Sequence, residues 1–226
     1  MTRDADTIIA THSRLGTTPL VPEVRLHLAA DATGIFGAIA QDAPDNGYPP
    51  YWAFAWPGGQ ATARYLLDTP SLVTGQRVVD IGAGSGIASI AAALAGARHV
   101  LAADVDPLAS AAISLNAAAN GVHVAATTDD LLGGPPEADL ILLGDLVYEP
   151  ELATRVAAFL QDAARRGIAV LLADRTTAKR PPVAFDLVAE YDAPLIPALP
   201  AHPFERARLW RLTPAPIRRR KPGQTG

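Results

Sequence analysis

Residues 77–86, Arg-Val-Val-Asp-Ile-Gly-Ala-Gly-Ser-Gly, constrain the fold of this chain more than any other stretch. A short β-branched run carries Asp80 near its end and passes into three alternating glycines, Gly82, Gly84 and Gly86. An Ala/Ile-rich run follows over 87–94. This is the pattern of a strand, a tight turn and a helix. Glycines in the turn let the backbone take left-handed conformations and let a ligand approach with no Cβ in the way. The helix start behind them offers unpaired N–H groups and a partial positive charge. Such a loop suits a nucleotide-like ligand. A dinucleotide fingerprint needs G-x-G-x-x-G, but the third position here is Ile87; a P-loop needs a Gly-Lys-Ser/Thr end, which this loop lacks.

The alternation continues downstream. Strands are expected over 77–81, 99–103, 122–127, 139–144 and 168–173, with helices over 87–95, 107–120 and 151–166. Pro107 starts the second helix, and Gly96, Gly121 and Gly167 follow helix ends. The run 139–144 is almost wholly apolar, as a central parallel strand buried on both faces should be. Two late strands, 185–191 and 206–212, fit a closing antiparallel pair. The expected fold is therefore α/β and Rossmann-like, with a mostly parallel sheet flanked by helices. The pattern Asp80-x-Gly82-x-Gly84-x-Gly86, with Asp104 at the end of the next strand, resembles motif I of the seven-strand, S-adenosylmethionine-dependent methyltransferases. That resemblance implies seven strands.

At 226 residues the chain holds one such domain and an appendage. Residues 1–47 are expected to form a helical appendage and linker, with short helices over 25–30 and 35–40. Residues 48–213 form the main domain, and 214–226 a disordered basic tail. The net charge of −4 argues against nucleic acid as partner. There is no cysteine, which excludes disulfides and thiol nucleophiles. The N-terminus lacks the pattern of a signal peptide and no apolar run matches a membrane span, so a cytoplasmic protein is expected. No metal site is expected. The segment Tyr48-Pro49-Pro50-Tyr51-Trp52-Ala53-Phe54-Ala55-Trp56-Pro57-Gly58-Gly59-Gln60 is dense in aromatics and prolines. It either packs an entry loop on the core or lids a ligand, where a flat ring shields an adenosine or surrounds a cation. A helix continues over 61–67, with Arg64 expected on its exposed side.

Ligands of parallel sheets bind beyond the carboxyl ends of the strands, and acids cluster there: Asp80, Asp104, Asp129 and Asp130, and Asp145, with Asp174 after the fifth strand. A carboxylate after strand two accepts from ribose hydroxyls, and one after strand three from an exocyclic adenine amine. Asp80 orients the turn or meets the amino-acid end of the ligand. Asp106, just before Pro107, reads as a helix N-cap. Asp145 and Tyr148 stand apart beyond strand four, where a methyl group would be presented.

Three segments carry a closer resemblance: Thr18-Pro19-Leu20-Val21-Pro22-Glu23-Val24-Arg25-Leu26-His27-Leu28; Pro50-Tyr51-Trp52-Ala53-Phe54-Ala55-Trp56-Pro57-Gly58-Gly59-Gln60; and Leu142-Leu143-Gly144-Asp145-Leu146-Val147-Tyr148. Together they look like the electron transfer flavoprotein β-subunit lysine methyltransferase family in a bacterial form, over roughly residues 8–212. The resemblance implies S-adenosylmethionine as methyl donor, S-adenosylhomocysteine as product and a protein lysine as acceptor. It places Asp104 at the ribose, Asp129 and Asp130 near the adenine, and Trp56 against the cofactor. It places Asp145 and Tyr148 at the lysine. Other readings are a methyltransferase of a ribosomal protein or small amine, and a nucleotide-binding module without catalysis.

Overall fold

A computed structural model describes residues 4–146, 150–175, 184–194 and 204–212. Tyr148 and the tail 214–226 lie outside the described residues. The elements in chain order are α1 (Ala5–His12), β1 (Ser13–Gly16), β2 (Leu26–Ala29), α2 (Ile35–Asp42), α3 (Pro57–Asp68), β3 (Arg77–Ile81), α4 (Ile87–Leu94), β4 (His99–Ala103), α5 (Pro107–Ala119), β5 (Ala125–Thr127), β6 (Leu140–Gly144), α6 (Pro150–Arg166), β7 (Ala169–Arg175), β8 (Phe185–Pro194) and β9 (Phe204–Leu212). The main sheet has seven strands in the order β5-β4-β3-β6-β7-β9-β8. β9 runs antiparallel to both neighbours, and the other pairs are parallel. This is the expected Rossmann-like sheet with its late antiparallel hairpin. The chain steps from β3 out to β5 and returns to β6 on the other side of β3. The crevice at that reversal opens at the carboxyl ends of β3, β4 and β6.

Side-chain alternation builds a core on each face of the sheet. Val78, Leu140 and Leu142 pack with Ala63, Leu66, Ile90 and Ile113 of α3, α4 and α5. Val79, Ile141 and Leu143 pack with Val156, Phe159 and Leu160 of α6. Strands β3 and β6 are thus buried on both sides, which explains the unbroken apolar run of β6 and the apolar positions flanking Asp80 in β3. A third cluster joins the appendage to the domain: Ile8, Ile9, Ile35 and Ile39 meet Trp52, Phe54, Leu108 and Ala112.

The appendage departs from expectation. Residues 26–29 form a strand where a helix was expected over 25–30, and β2 pairs antiparallel with β1, from Ser13 opposite Ala29 to Gly16 opposite Leu26. Four apolar-polar residues do not separate the two periods, and Pro19 and Pro22 force an extended approach. The expected helix over 35–40 is present as α2. β5 is shorter than expected, beginning at Ala125. Arg64 is half-buried, bonded to Glu23 and Asp68 at 2.7 Å each, because the appendage covers its side of α3. Among the described residues no helix is long and apolar enough to cross a membrane.

Candidate active site

Gly82, Gly84 and Gly86 all have positive φ (69°, 53° and 76°). They are needed for different reasons. A Cβ on Gly82 would overlap the Leu146 side chain, and one on Gly86 would meet Ile113 at 3.1 Å. One on Gly84 would meet nothing within 4 Å, so only its backbone conformation and the open space beside it demand glycine. The loop is tied to β4 through Gly82 N–H to the Ala103 carbonyl (2.8 Å) and Gly84 N–H to Asp104 Oδ2 (2.8 Å).

A cavity of about 360 Å³ lies over this loop, within the usual size of a small-molecule site. Trp56, Asp80, Gly82, Gly84, Asp104, Asp129, Asp130 and Asp145 all line it. Gly86 sits behind, at the N-cap of α4. The acids differ in environment. Asp80 is buried and accepts Ser89 Oγ at 2.6 Å, tying β3 to α4; burial pushes its carboxyl up to about 6, and the neighbouring Asp104 adds to this. Asp104 is raised chiefly by desolvation, against the N–H groups of Asp106 and Gly84 that favour its ionised form. Asp106 caps α5 by accepting the Leu108 N–H (2.9 Å), as its place before Pro107 indicated, and burial pushes it up to about 6. Asp129 accepts Thr127 Oγ1 within its own loop (2.8 Å). Asp130 pairs with Arg155 of α6 at 2.5 Å, which holds its carboxyl below the usual range.

The aromatic segment divides between the two readings given for it. Trp52 and Phe54 are buried in the third core cluster. Tyr48, Tyr51 and Trp56 line the cavity, and buried Trp52 also reaches its wall; Trp56 Nε1 donates to the Tyr51 carbonyl at 3.0 Å and its ring stands edge-on to Tyr51 at 5.7 Å. Trp56 is the N-cap residue of α3, and Pro57 occupies the first helical position, where a missing N–H costs nothing.

Asp145 follows β6 directly. It is the one non-glycine residue with positive φ (53°) among the described residues, a conformation retained where the surroundings enforce it. Its Oδ2 accepts the Gly58 N–H at 2.6 Å, so the carboxylate sits at the N-terminus of α3, where helix dipole and N–H groups favour negative charge. A Cβ on Gly58 would lie 2.7–3.0 Å from the Asp145 carboxyl atoms. Sequence reasoning did not single out Gly58, Ser89 or Arg155. The Gly58-Gly59 pair was a visible signal of close backbone approach; the partners of Ser89 and Arg155 lie in other elements and leave none.

The cavity fits an adenosyl cofactor bearing positive charge. It offers a backbone cradle at Gly84, carboxylates around it and an aromatic wall. The profile of the ribosomal protein L11 methyltransferase (PrmA) family matches residues 63–177. The electron transfer flavoprotein beta subunit lysine methyltransferase of Xenopus laevis is 40% identical over 171 residues, 74% of this chain and 68% of that protein. Proteins of the same name from five vertebrates are matched over 54–68% of their lengths, so the chain spans just over half to just over two thirds of these relatives. The ribosomal protein L11 methyltransferase of Synechococcus is 40% identical over 124 residues, 50% of this chain and 40% of that protein. Among solved structures, PH1948 of Pyrococcus horikoshii shares the fold (TM-score 0.55, 20% identity, 75% of this chain and 91% of that one). On the strength of this profile and of the match to the frog protein, the chain belongs to the electron transfer flavoprotein β-subunit lysine methyltransferase family, within the seven-strand S-adenosylmethionine-dependent methyltransferases.

Proposed function

We propose that this chain methylates lysine side chains of a protein, with the electron transfer flavoprotein β subunit as its substrate. The observation that carries the reading is the seating of Asp145, a carboxylate held at the cavity by Gly58 and bordered by the aromatic segment. The relatives' shared name supplies the acceptor. The donor supplies a sulfonium methyl group; the S–C bond breaks as the N–C bond forms, its electron pair leaving with sulfur. Gly84 and Asp104 hold the ribose side, Asp129 accepts from the adenine amine, and Asp80 and Asp104 favour the donor's positive charge. Trp56 covers the donor. A lysine has a reference pKa of about 10.4, so it arrives protonated and must first give a proton to solvent water. Asp145 takes a hydrogen bond from the amine and aims its lone pair, with Tyr148 as the second acceptor-side residue. Most of the rate enhancement comes from positioning and desolvation. In this reading the enzyme works in the cytoplasm on protein rather than nucleic acid, in keeping with its net charge of −4.

The ribosomal protein L11 is the second reading, favoured by the matched profile. Purified electron transfer flavoprotein β subunit, purified L11 and a small-molecule extract, each incubated with enzyme and methyl-labelled donor, separate these. Label on lysines of the flavoprotein subunit is expected. Label on L11 alone selects the second reading, and label on small molecules alone rejects both.

A further inference from the structure

Besides its apolar cluster, the appendage meets the domain through two asparagines, Asn116 of α5 and Asn120 at its C-cap. Asn116 is fully buried. Its Nδ2 donates to the Ser85 carbonyl, inside the glycine loop, at 2.8 Å. Its Oδ1 accepts the His27 backbone N–H at 2.7 Å and His27 Nδ1 at 2.8 Å. These partners fix the amide orientation, and because Oδ1 only accepts, His27 carries its proton on Nδ1. One turn further from the loop, Asn120 Oδ1 accepts the Arg25 N–H (2.9 Å) and its Nδ2 donates to the Arg25 carbonyl (2.7 Å).

The spacing explains the match. Outward-facing groups of an edge strand recur every second residue, about 6.7 Å apart. Residues four apart on a helix are displaced by about 6 Å. Arg25 and His27 therefore meet Asn120 and Asn116 in register, with β2 antiparallel to α5. The asparagine amides act as the missing neighbour strand for β2 and for Arg25 just before it, and the amide at the inner end also holds the glycine loop.

We infer that Asn116 is a positioning residue for the glycine loop, and that through it donor binding and the docking of β2 on α5 favour one another. The inference rests on donor binding at this loop and is independent of which acceptor is methylated. Coupling of this kind is reciprocal: whatever tightens β2 on α5 tightens the donor, and the donor tightens β2.

The test uses the full chain, with S-adenosylhomocysteine as probe. Calorimetry gives its Kd, and hydrogen exchange is followed at the Arg25 and His27 amides, which report the clamp directly. In the wild type the probe is expected to slow exchange at both amides. Asn120→Ala removes the two bonds to Arg25 and one from its Nδ2 to the Asn116 carbonyl (2.7 Å) while leaving the Asn116 side chain and its Ser85 bond in place; it is expected to weaken the probe about 5-fold, at the low end of typical couplings. Asn116→Asp keeps the acceptor for His27 and loses the donor to Ser85; about 10-fold weaker binding is expected, with the His27 amide still protected. Asp139→Asn, which loosens the Arg77 pair at the amino end of β3, serves as control: its Tm falls and its Kd stays at the wild-type value, since lost stability alone does not move affinity. Wild-type Kd in Asn120→Ala, or exchange indifferent to the probe, overturns the coupling even if Asn116→Asp fails to fold. A wild type that binds no probe overturns the donor assignment along with it.

Discussion

Asp145 and Gly58 illustrate how little room the residue scale leaves at this site. The carboxylate takes the Gly58 N–H at 2.6 Å from a left-handed backbone, and it fills the volume that a side chain at position 58 would need. In the reading proposed for Asp145, Gly58→Ala acts on the acceptor side, since its Cβ meets the Asp145 carboxyl atoms and none of the glycine loop within the nearest contacts. Transfer to the flavoprotein subunit is expected to fall about 10–100-fold in kcat, as a displacement near 1 Å does in a positioned reaction, with donor Kd unchanged. In an Asp145→Ala background the clash is gone, and the same glycine substitution is expected to cost under about 3-fold. Additive losses in the double variant would show that Gly58 does not act through Asp145.

At the scale of elements, the segment leading into α3 carries two tryptophans that both reach the cavity but differ in burial. Trp52 is fully buried among Ile8, Ile39 and Leu108, whereas Trp56 is half-buried on the cavity wall. Trp52→Ala is expected to cost about 3–5 kcal/mol in stability, as large-to-small core changes do. Trp56→Ala is expected to cost much less stability and to weaken the donor. Denaturant melts and calorimetry on the two variants check this; a Trp56→Ala protein with wild-type Kd would remove Trp56 from the donor site. Both tryptophans stand in one aromatic run, and nothing local distinguishes them. The contrast with β3 is instructive. Its apolar run, its acid and its glycines were legible because each answers to a local rule: burial on two faces, a strand end, a left-handed turn. β2 was not, because its four residues take strand form only against β1 and Asn116, with Arg25 just before them held by Asn120, some ninety positions away. The strand-end acids were readable as a group. Their division into a loop prop (Asp104), a helix tie (Asp80), a cap (Asp106) and an ion-paired rim (Asp130) is a tertiary fact.

For the whole molecule, the crevice concentrates buried carboxylates that the apo fold tolerates at a cost in stability. An unfolded aspartate titrates near 3.8, whereas in the fold burial pushes both Asp80 and Asp106 up to about 6, and Asp104 is also raised. Between those values the folded chain holds protons that the unfolded chain has released, so raising the pH through about 4 to 6 destabilises the fold. For Asp80 the difference corresponds to roughly 3 kcal/mol at neutral pH. Carboxylates with depressed values work the other way. Asp139, held near 2 by Arg77, loses its contribution only below about 4. The apo protein is therefore expected to melt highest near pH 5 and lower at pH 7.5. A donor bearing positive charge reverses the preference, because it favours the ionised crevice. The thermal shift given by S-adenosylmethionine is expected to be large at pH 7.5 and to shrink as the pH falls through 6, where binding must first expel protons. Asp80→Asn keeps an acceptor for Ser89 and removes the charge. It is expected to raise the apo melting temperature at pH 7.5, to flatten its pH dependence between 4 and 6, and to weaken the donor. Melting curves of both proteins from pH 4.5 to 8, with and without the donor, decide it: an apo stability that rises steadily from pH 4.5 to 7.5 in the wild type would mean that the crevice acids are not the groups that govern it.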